Sequence, residues 1–254
     1  MALLRLSYLT FPVFALLIAG TLPGCGSAEY ERRLKLGLEE IRQRSAFGQL
    51  YGQPVALPGT PLMIRVPRAF TLSFQEGSAF DDKPIDNRRV TIPGVALPGL
   101  AVTYEGRVVD SAGGKYPYYM HLFAIERAKA GKLISSKSET PSALDTTGEL
   151  YQQIQKAFDR THGSWAEVAC QTPYGNQLAW QRLRTEGEQE VHYLRENGSE
   201  VYIKRPCVLD VFARIEGRYL VLVVWRAPAA IEDAARIGEV APLVAGTLLE
   251  GQKG

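Results

Sequence analysis

Three cysteines and three histidines bound the chemistry open to this chain. Cys25 closes the stretch Leu22-Pro23-Gly24-Cys25, directly after an apolar run, whereas Cys170 and Cys207 lie far downstream. His121, His162 and His192 fall on different predicted elements. No Gly-x-Ser-x-Gly elbow presents a nucleophilic serine, so a hydrolase triad has no support. Neither Cys170 nor Cys207 has metal-ligand spacing. Asp159 and His162 could place a carboxylate near an imidazole, but they fall where a helix should end, and an imidazole there suits the negative end of the helix dipole. Asp81, Asp82, Asp86 and Asn87 offer hard oxygen ligands without the alternation and glycine of a calcium loop, so a solvated turn is expected. Gly113-Gly114-Lys115 lacks the spacing and the following Ser or Thr of a phosphate loop. No catalytic residue, metal or cofactor is assigned.

Two side-chain groups remain. Tyr116, Tyr118 and Tyr119 stand beside Met120 and His121, and strand alternation sends Tyr116, Tyr118 and Met120 to one face and Tyr119 and His121 to the other. If one face is exposed, this aromatic group is a binding patch; the alternative is core packing, because sheets favour aromatics in any case. His121 and His192, with acidic neighbours, are the hints of an enzyme whose site is assembled from distant strands. A pocket joining both imidazoles to a carboxylate would favour catalysis, and a flat aromatic patch would favour binding.

The first thirty residues say where such a domain would live. Leu6 to Ala19 is an apolar run of signal-peptide length behind Arg5. It is too short to span a hydrocarbon core of about 30 Å at about 1.5 Å per residue. Gly26-Ser27-Ala28 could serve as an ordinary cleavage site, discarding Cys25 with the leader. Leu22-Pro23-Gly24-Cys25 resembles the lipobox of bacterial lipoproteins. That resemblance implies that residues 1–24 are a signal peptide, that the Cys25 thiol receives a diacylglyceryl group, and that the new amine is acylated. More than one acyl chain gives stable anchoring, at about 0.8 kcal/mol per buried CH₂. Gly26 after the cysteine is not the Asp that in this family favours inner-membrane retention, so the outer membrane is favoured where the host has two. Residues 25–28 then form a short tether and residues 29–254 a single domain.

In that compartment Cys170 and Cys207 could form a disulfide, with two separate buried thiols as the alternative. The formal charge of +2 on 254 residues falls to about +1 once Arg5 leaves with the signal. No electrostatic pull towards nucleic acid follows. The partners expected are the membrane, through the lipid anchor, and a protein of the envelope.

The elements follow from periodicity. Tyr30, Leu34, Leu38 and Ile41 mark an amphipathic helix over 29–44 that should lead into the domain. Strands are expected at 62–66 and 70–74, a surface excursion over 75–100, and a hairpin of strands at 101–109 and 116–125. A helix follows at about 148–159, with Thr146 and Glu149 as a capping box. Strands at 176–185, 188–195, 200–204, 207–215 and 218–226 are separated at Gly187, Asn197-Gly198 and Gly217, the second read as a type I′ turn. A helix over about 229–249 closes the chain. Strands with segregated helices predict an α+β fold, an antiparallel sheet with a C-terminal meander packed by helices. The late meander ending Gly217-Arg218-Tyr219-Leu220-Val221-Leu222 and the closing helix resemble the extrinsic photosystem P-protein (PsbP) fold over the last half of the chain. The function expected is that of an exported, membrane-anchored lipoprotein with a non-enzymatic binding or scaffold role.

Overall fold

Alternation along the strands divides their side chains between two apolar layers, and that division organises the fold. The computed structural model describes residues 25–75, 91–109, 113–135, 144–158 and 163–251. Residues 1–24, the Asp81 to Asn87 group, Asp159 and His162 lie outside them. The chain divides into two units, Met1–Ser45 and Ala46–Gly254. In the first, the described residues belong to helix α1 (Cys25–Phe47), which starts at the cysteine itself, so the expected tether residues 26–28 are helical.

The second unit is α+β, as the sequence predicts. Its strands are β1 (Val55–Ala56), β2 (Leu62–Ile64), β3 (Thr71–Gln75), β4 (Leu100–Val109), β5 (Lys115–Glu126), β6 (Ala166–Gln171), β7 (Gln177–Leu194), β8 (Glu200–Glu216), β9 (Tyr219–Pro228) and β10 (Leu249–Glu250). Its helices are α2 (Arg127–Ile134), α3 (Glu149–Ala157), α4 (Glu232–Ala235) and α5 (Ile237–Ala245). A seven-stranded sheet runs β3-β4-β5-β9-β8-β7-β6, and a small sheet runs β1-β2-β10. Every described pairing of named strands is antiparallel.

One face of the large sheet packs Met120, Trp180, Phe212 and Trp225 against α5 (Ile237, Val240, Val244) and the small sheet (Leu62, Ile64). The other packs Phe123, Leu209, Leu222 and Val224 against α2 (Leu133, Ile134) and α3 (Leu150, Ile154). Each such side chain contributes about 1.5–3 kcal/mol when fully buried.

Several boundaries differ from expectation. Gly187 is not a turn but the middle of the continuous 18-residue strand β7. A Cβ there would stand 2.5 Å from the Phe158 carbonyl oxygen, so the glycine serves close approach of the chain after α3. Likewise β8 runs unbroken through Pro206. The pairing of β8 with β9 starts at Cys207, so Pro206 lies where only β7 flanks the strand and a missing N–H is tolerated. The 195–198 turn is closed by Gly198 N–H donating to the Arg195 carbonyl at 2.9 Å, with φ positive at Gly198 but not at Asn197. That is a type I turn with a following left-handed glycine rather than type I′. Gly217, with φ 55° at the first position of a two-residue loop, fits type II′.

Helix α3 is capped by Gly148, not by the expected Thr146 and Glu149 box. A Cβ on Gly148 would lie 2.4 Å from the Leu133 carbonyl oxygen, so packing against α2 selects the residue. Helix α2, which the sequence reading did not predict, is eight residues long with Gly131 inside it. The single helix expected at 229–249 is a 3₁₀ turn (Ala229–Ile231) followed by α4 and α5. It is broken at Arg236, whose φ of 52° ends α4, and not at Pro242, which α5 contains. Thr247 then ties the end of the chain down: its hydroxyl donates to the Val244 carbonyl at 2.7 Å and accepts from Arg65 N–H at 2.9 Å.

Candidate functional site

Strand β5 does divide its aromatics as alternation requires. Tyr118 and Met120 enter the layer of Trp225, with Tyr116 half-buried at its margin. Tyr119, His121 and Phe123 turn to the α2–α3 side. Tyr118, Tyr119 and His121 are buried, so they do not form a flat exposed patch.

The register sets polar residues in rows across the α2–α3 side of the sheet. Thr103 of β4 faces His121, which faces Val224 of β9. One step along, Glu105 faces Tyr119, which faces Arg226. Thr103 Oγ1 and His121 Nδ1 are 3.0 Å apart, while the buried Nε2 of His121 has no hydrogen-bond partner among the described residues. Burial first, and then the Arg226 charge, hold the His121 pKa well below 6.5, so the ring is neutral at neutral pH. Arg226 lies over the Tyr119 ring at 4.7 Å, and Tyr119 stacks on His121 with centroids 6.0 Å apart. Beside them Arg107 Nε donates to Glu105 at 2.7 Å.

This row borders a cavity made by unequal strand lengths. Strand β9 ends at Pro228 opposite Cys207, while β8 and β7 continue to their 195–199 connection and Lys115 of β5 pairs with Leu194 of β7. Pro228 cannot donate to the ladder beyond that point. The opening is lined by Tyr119, His192, Tyr202, Cys207, Arg226 and Pro228, among others, and holds about 20 Å³, room for about one water molecule. His192 Nε2 stands 3.2 Å from Glu200, and the His192 and Tyr202 rings are 5.4 Å apart. The cavity therefore contains an imidazole near a carboxylate, but His121 lies behind Tyr119 and does not line it.

Burial pushes the Cys207 thiol up to about 11 against the lowering effect of Arg226, so Cys207 is a protonated thiol at neutral pH. Burial also raises Cys170 to about 11. The two cysteines are free and belong to opposite layers, so of the two alternatives the structure has separate buried thiols and not the candidate disulfide. Cys170 pairs with Leu178 and Cys207 with Gly187, nine residues apart on β7, or about 30 Å of strand at about 3.3 Å per residue. A disulfide needs Cα atoms within about 7 Å.

A second polar element, missed in the sequence, crosses the opposite layer. Arg182 donates to both carboxylate oxygens of Asp210, at 2.8 and 2.7 Å, and Asp210 is fully buried. Its hydrogen bond to Asp210 raises the Arg182 pKa. The signal was present as charges set in apolar runs, at Asp210 within 207–215 and at Arg226 closing 218–226. Alternation alone does not say that such a charge faces inward. A wider cleft of about 640 Å³ lies between Gly59, Thr60 and Pro61 and the turn holding Arg218 and Tyr219. There Arg218 Nε donates to the Tyr219 hydroxyl at 3.0 Å.

No protein-family profile matches the sequence and no curated protein matches it. Two solved structures overlay at low similarity. One, from Bacteroides thetaiotaomicron, is 13% identical with a TM-score of 0.33, over 80% of this chain and 50% of that one, so this chain spans about half its length. The other is the solution structure of cyanobacterial PsbP (CyanoP) from Synechocystis, 11% identical with a TM-score of 0.35, over 78% of this chain and 91% of that one. A PsbP-like structure is thus among its neighbours, at low identity.

Proposed function

We propose that this chain is an exported lipoprotein, held at a bacterial membrane through an acylated Cys25, whose sheet unit serves a non-enzymatic binding or scaffold role at the envelope. The outer membrane is its place where the host has two. The observation that carries this reading is the position of Cys25: the lipobox cysteine is the first residue of a 23-residue helix that runs on to Phe47, a residue of the folded unit's core. The acyl group would therefore join directly to ordered structure. Binding is favoured over catalysis because buried polar side chains of the sheet are tied up in structural pairs: Thr103 meets His121, Glu105 meets the exposed Arg107, and Asp210 meets Arg182. Such pairs hold a sheet in register and leave shape and surface to recognise a partner.

The test is mass spectrometry of the mature N-terminus after labelling with a lipid precursor, with Cys25→Ala in parallel. A diacylated, N-acylated Cys25 is expected, with the label lost in the variant. An unmodified chain starting at Glu29 overturns the anchoring.

A further inference from the structure

Helix α1 exposes the residues that an amphipathic helix normally hides. Tyr30, Leu34, Leu38 and Ile41 are 67, 49, 47 and 64% exposed. At about 100° per residue they fall within an arc of about 80°, and Leu36 stands about 160° from its centre. We propose that α1 lies along the membrane surface with this stripe in the lipid interface, rather than standing off the bilayer as a stalk. The inference rests on the reading of Cys25 as the acylated residue.

Position makes the bilayer the occupant. Tyr30 is five residues from Cys25, about 7.5 Å along the helix, so acyl chains inserted at Cys25 hold the stripe within reach of lipid at high effective concentration. A stalk would leave four large apolar side chains in water, whereas a helix lying flat transfers them to the interface. Among the described residues no helix is long and apolar enough to cross a membrane, so α1 can rest on the bilayer but not span it.

The charges do not oppose this placement: none falls within the arc of the stripe at about 100° per residue, and five of them are paired within the helix. Glu29 accepts from Arg32 at 3.0 Å and Arg33 at 2.8 Å, and Glu40 accepts from Arg44 at 2.5 Å. The apolar stripe, not a cationic face, is the source of affinity, so contact should depend little on salt or on lipid charge.

The experiment supplies the tether chemically. The mature chain, Cys25 to Gly254, is coupled through Cys25 to a maleimide phospholipid in phosphatidylethanolamine/phosphatidylglycerol vesicles; Cys170 and Cys207 are buried, which directs the reagent to Cys25. Tyr30→Trp and Leu36→Trp variants are compared for quenching by brominated lipid. The Tyr30→Trp emission should be quenched several-fold more than that of Leu36→Trp, and adding Leu38→Glu should remove the difference while circular dichroism stays unchanged. Equal quenching at the two positions overturns the proposal, as does a stripe shielded from lipid by a second copy, seen as a crosslinked dimer. Because the anchor is installed by coupling, this result stands whatever natural modification mass spectrometry finds at Cys25, and either reading can fail alone.

Discussion

Over Cys25–Ser45, α1 is held by neighbours in sequence: its ion pairs join residues three or four apart, and its large apolar side chains are exposed. The seven-stranded sheet is held by residues distant in sequence. Arg182 meets Asp210, Thr103 meets His121, and Trp180 and Trp225 share a layer with residues of α5. Exposed ion pairs three or four residues apart contribute little, because water screens them and the side chains lose freedom. Burial in the sheet contributes far more per residue. The helix is therefore a local structure with an exposed apolar face, and the sheet is the cooperative unit that sets global stability.

That contrast can be broken by mutation. Trp225→Ala, in the middle of the first layer, should lower unfolding free energy by about 3–5 kcal/mol in urea denaturation, with the helix signal of α1 unaffected at low denaturant. A loss below about 1 kcal/mol would mean that the layer is not the cooperative core. Asp210→Ala leaves Arg182 without its carboxylate in a largely buried place and should cost about 3 kcal/mol by thermal or chemical denaturation. Replacing both Arg182 and Asp210 with apolar residues should cost less than this single change.

Gly187→Ala tests the close approach to Phe158 and should cost about 1–3 kcal/mol, while Gly198→Ala probes a positive φ with open space around it. A loss below about 0.5 kcal/mol in Gly187→Ala would show that the contact with Phe158 does not select the glycine.

Acidification tests His121. Its folded pKa lies below 6.5, so the unfolded chain binds more protons there, and stability falls as pH drops below about 6.5. The slope contributed by one proton is at most about 1.4 kcal/mol per pH unit. Urea midpoints between pH 7 and pH 5 should fall less steeply in His121→Asn, and an identical slope would place the titrating group elsewhere. The smallest effect belongs to α1: Leu34→Ala should change global stability by less than about 0.5 kcal/mol, because Leu34 is half exposed.

Much of the fold was legible, and the errors share a cause. The β4–β5 hairpin, α3 and the late meander follow from alternation and the 3.6-residue period, which are local signals. Gly187 and Pro206 read as breaks because, along a sequence, glycine and proline usually are. The sheet kept both, one because Phe158 comes close and the other because β9 has already ended. The polar rows were less legible. Alternation placed Tyr119 and His121 on one face, but only the register brought Thr103, Glu105 and Arg226 to them, the last from more than a hundred residues away. The choice between a disulfide and two separate thiols stayed open for the same reason, since a count of cysteines carries no distance.

By itself the sequence determined the α+β class, the antiparallel meander, the amphipathic period of α1 and the junction of an apolar run with Leu22-Pro23-Gly24-Cys25, because each is written in the spacing of neighbouring residues. The tertiary structure alone decided which charges are buried and paired, that Cys170 and Cys207 lie on opposite layers, and that the stripe of α1 is exposed. Those outcomes depend on which distant strands share an edge, and burial is a property of the assembled layers rather than of any one segment.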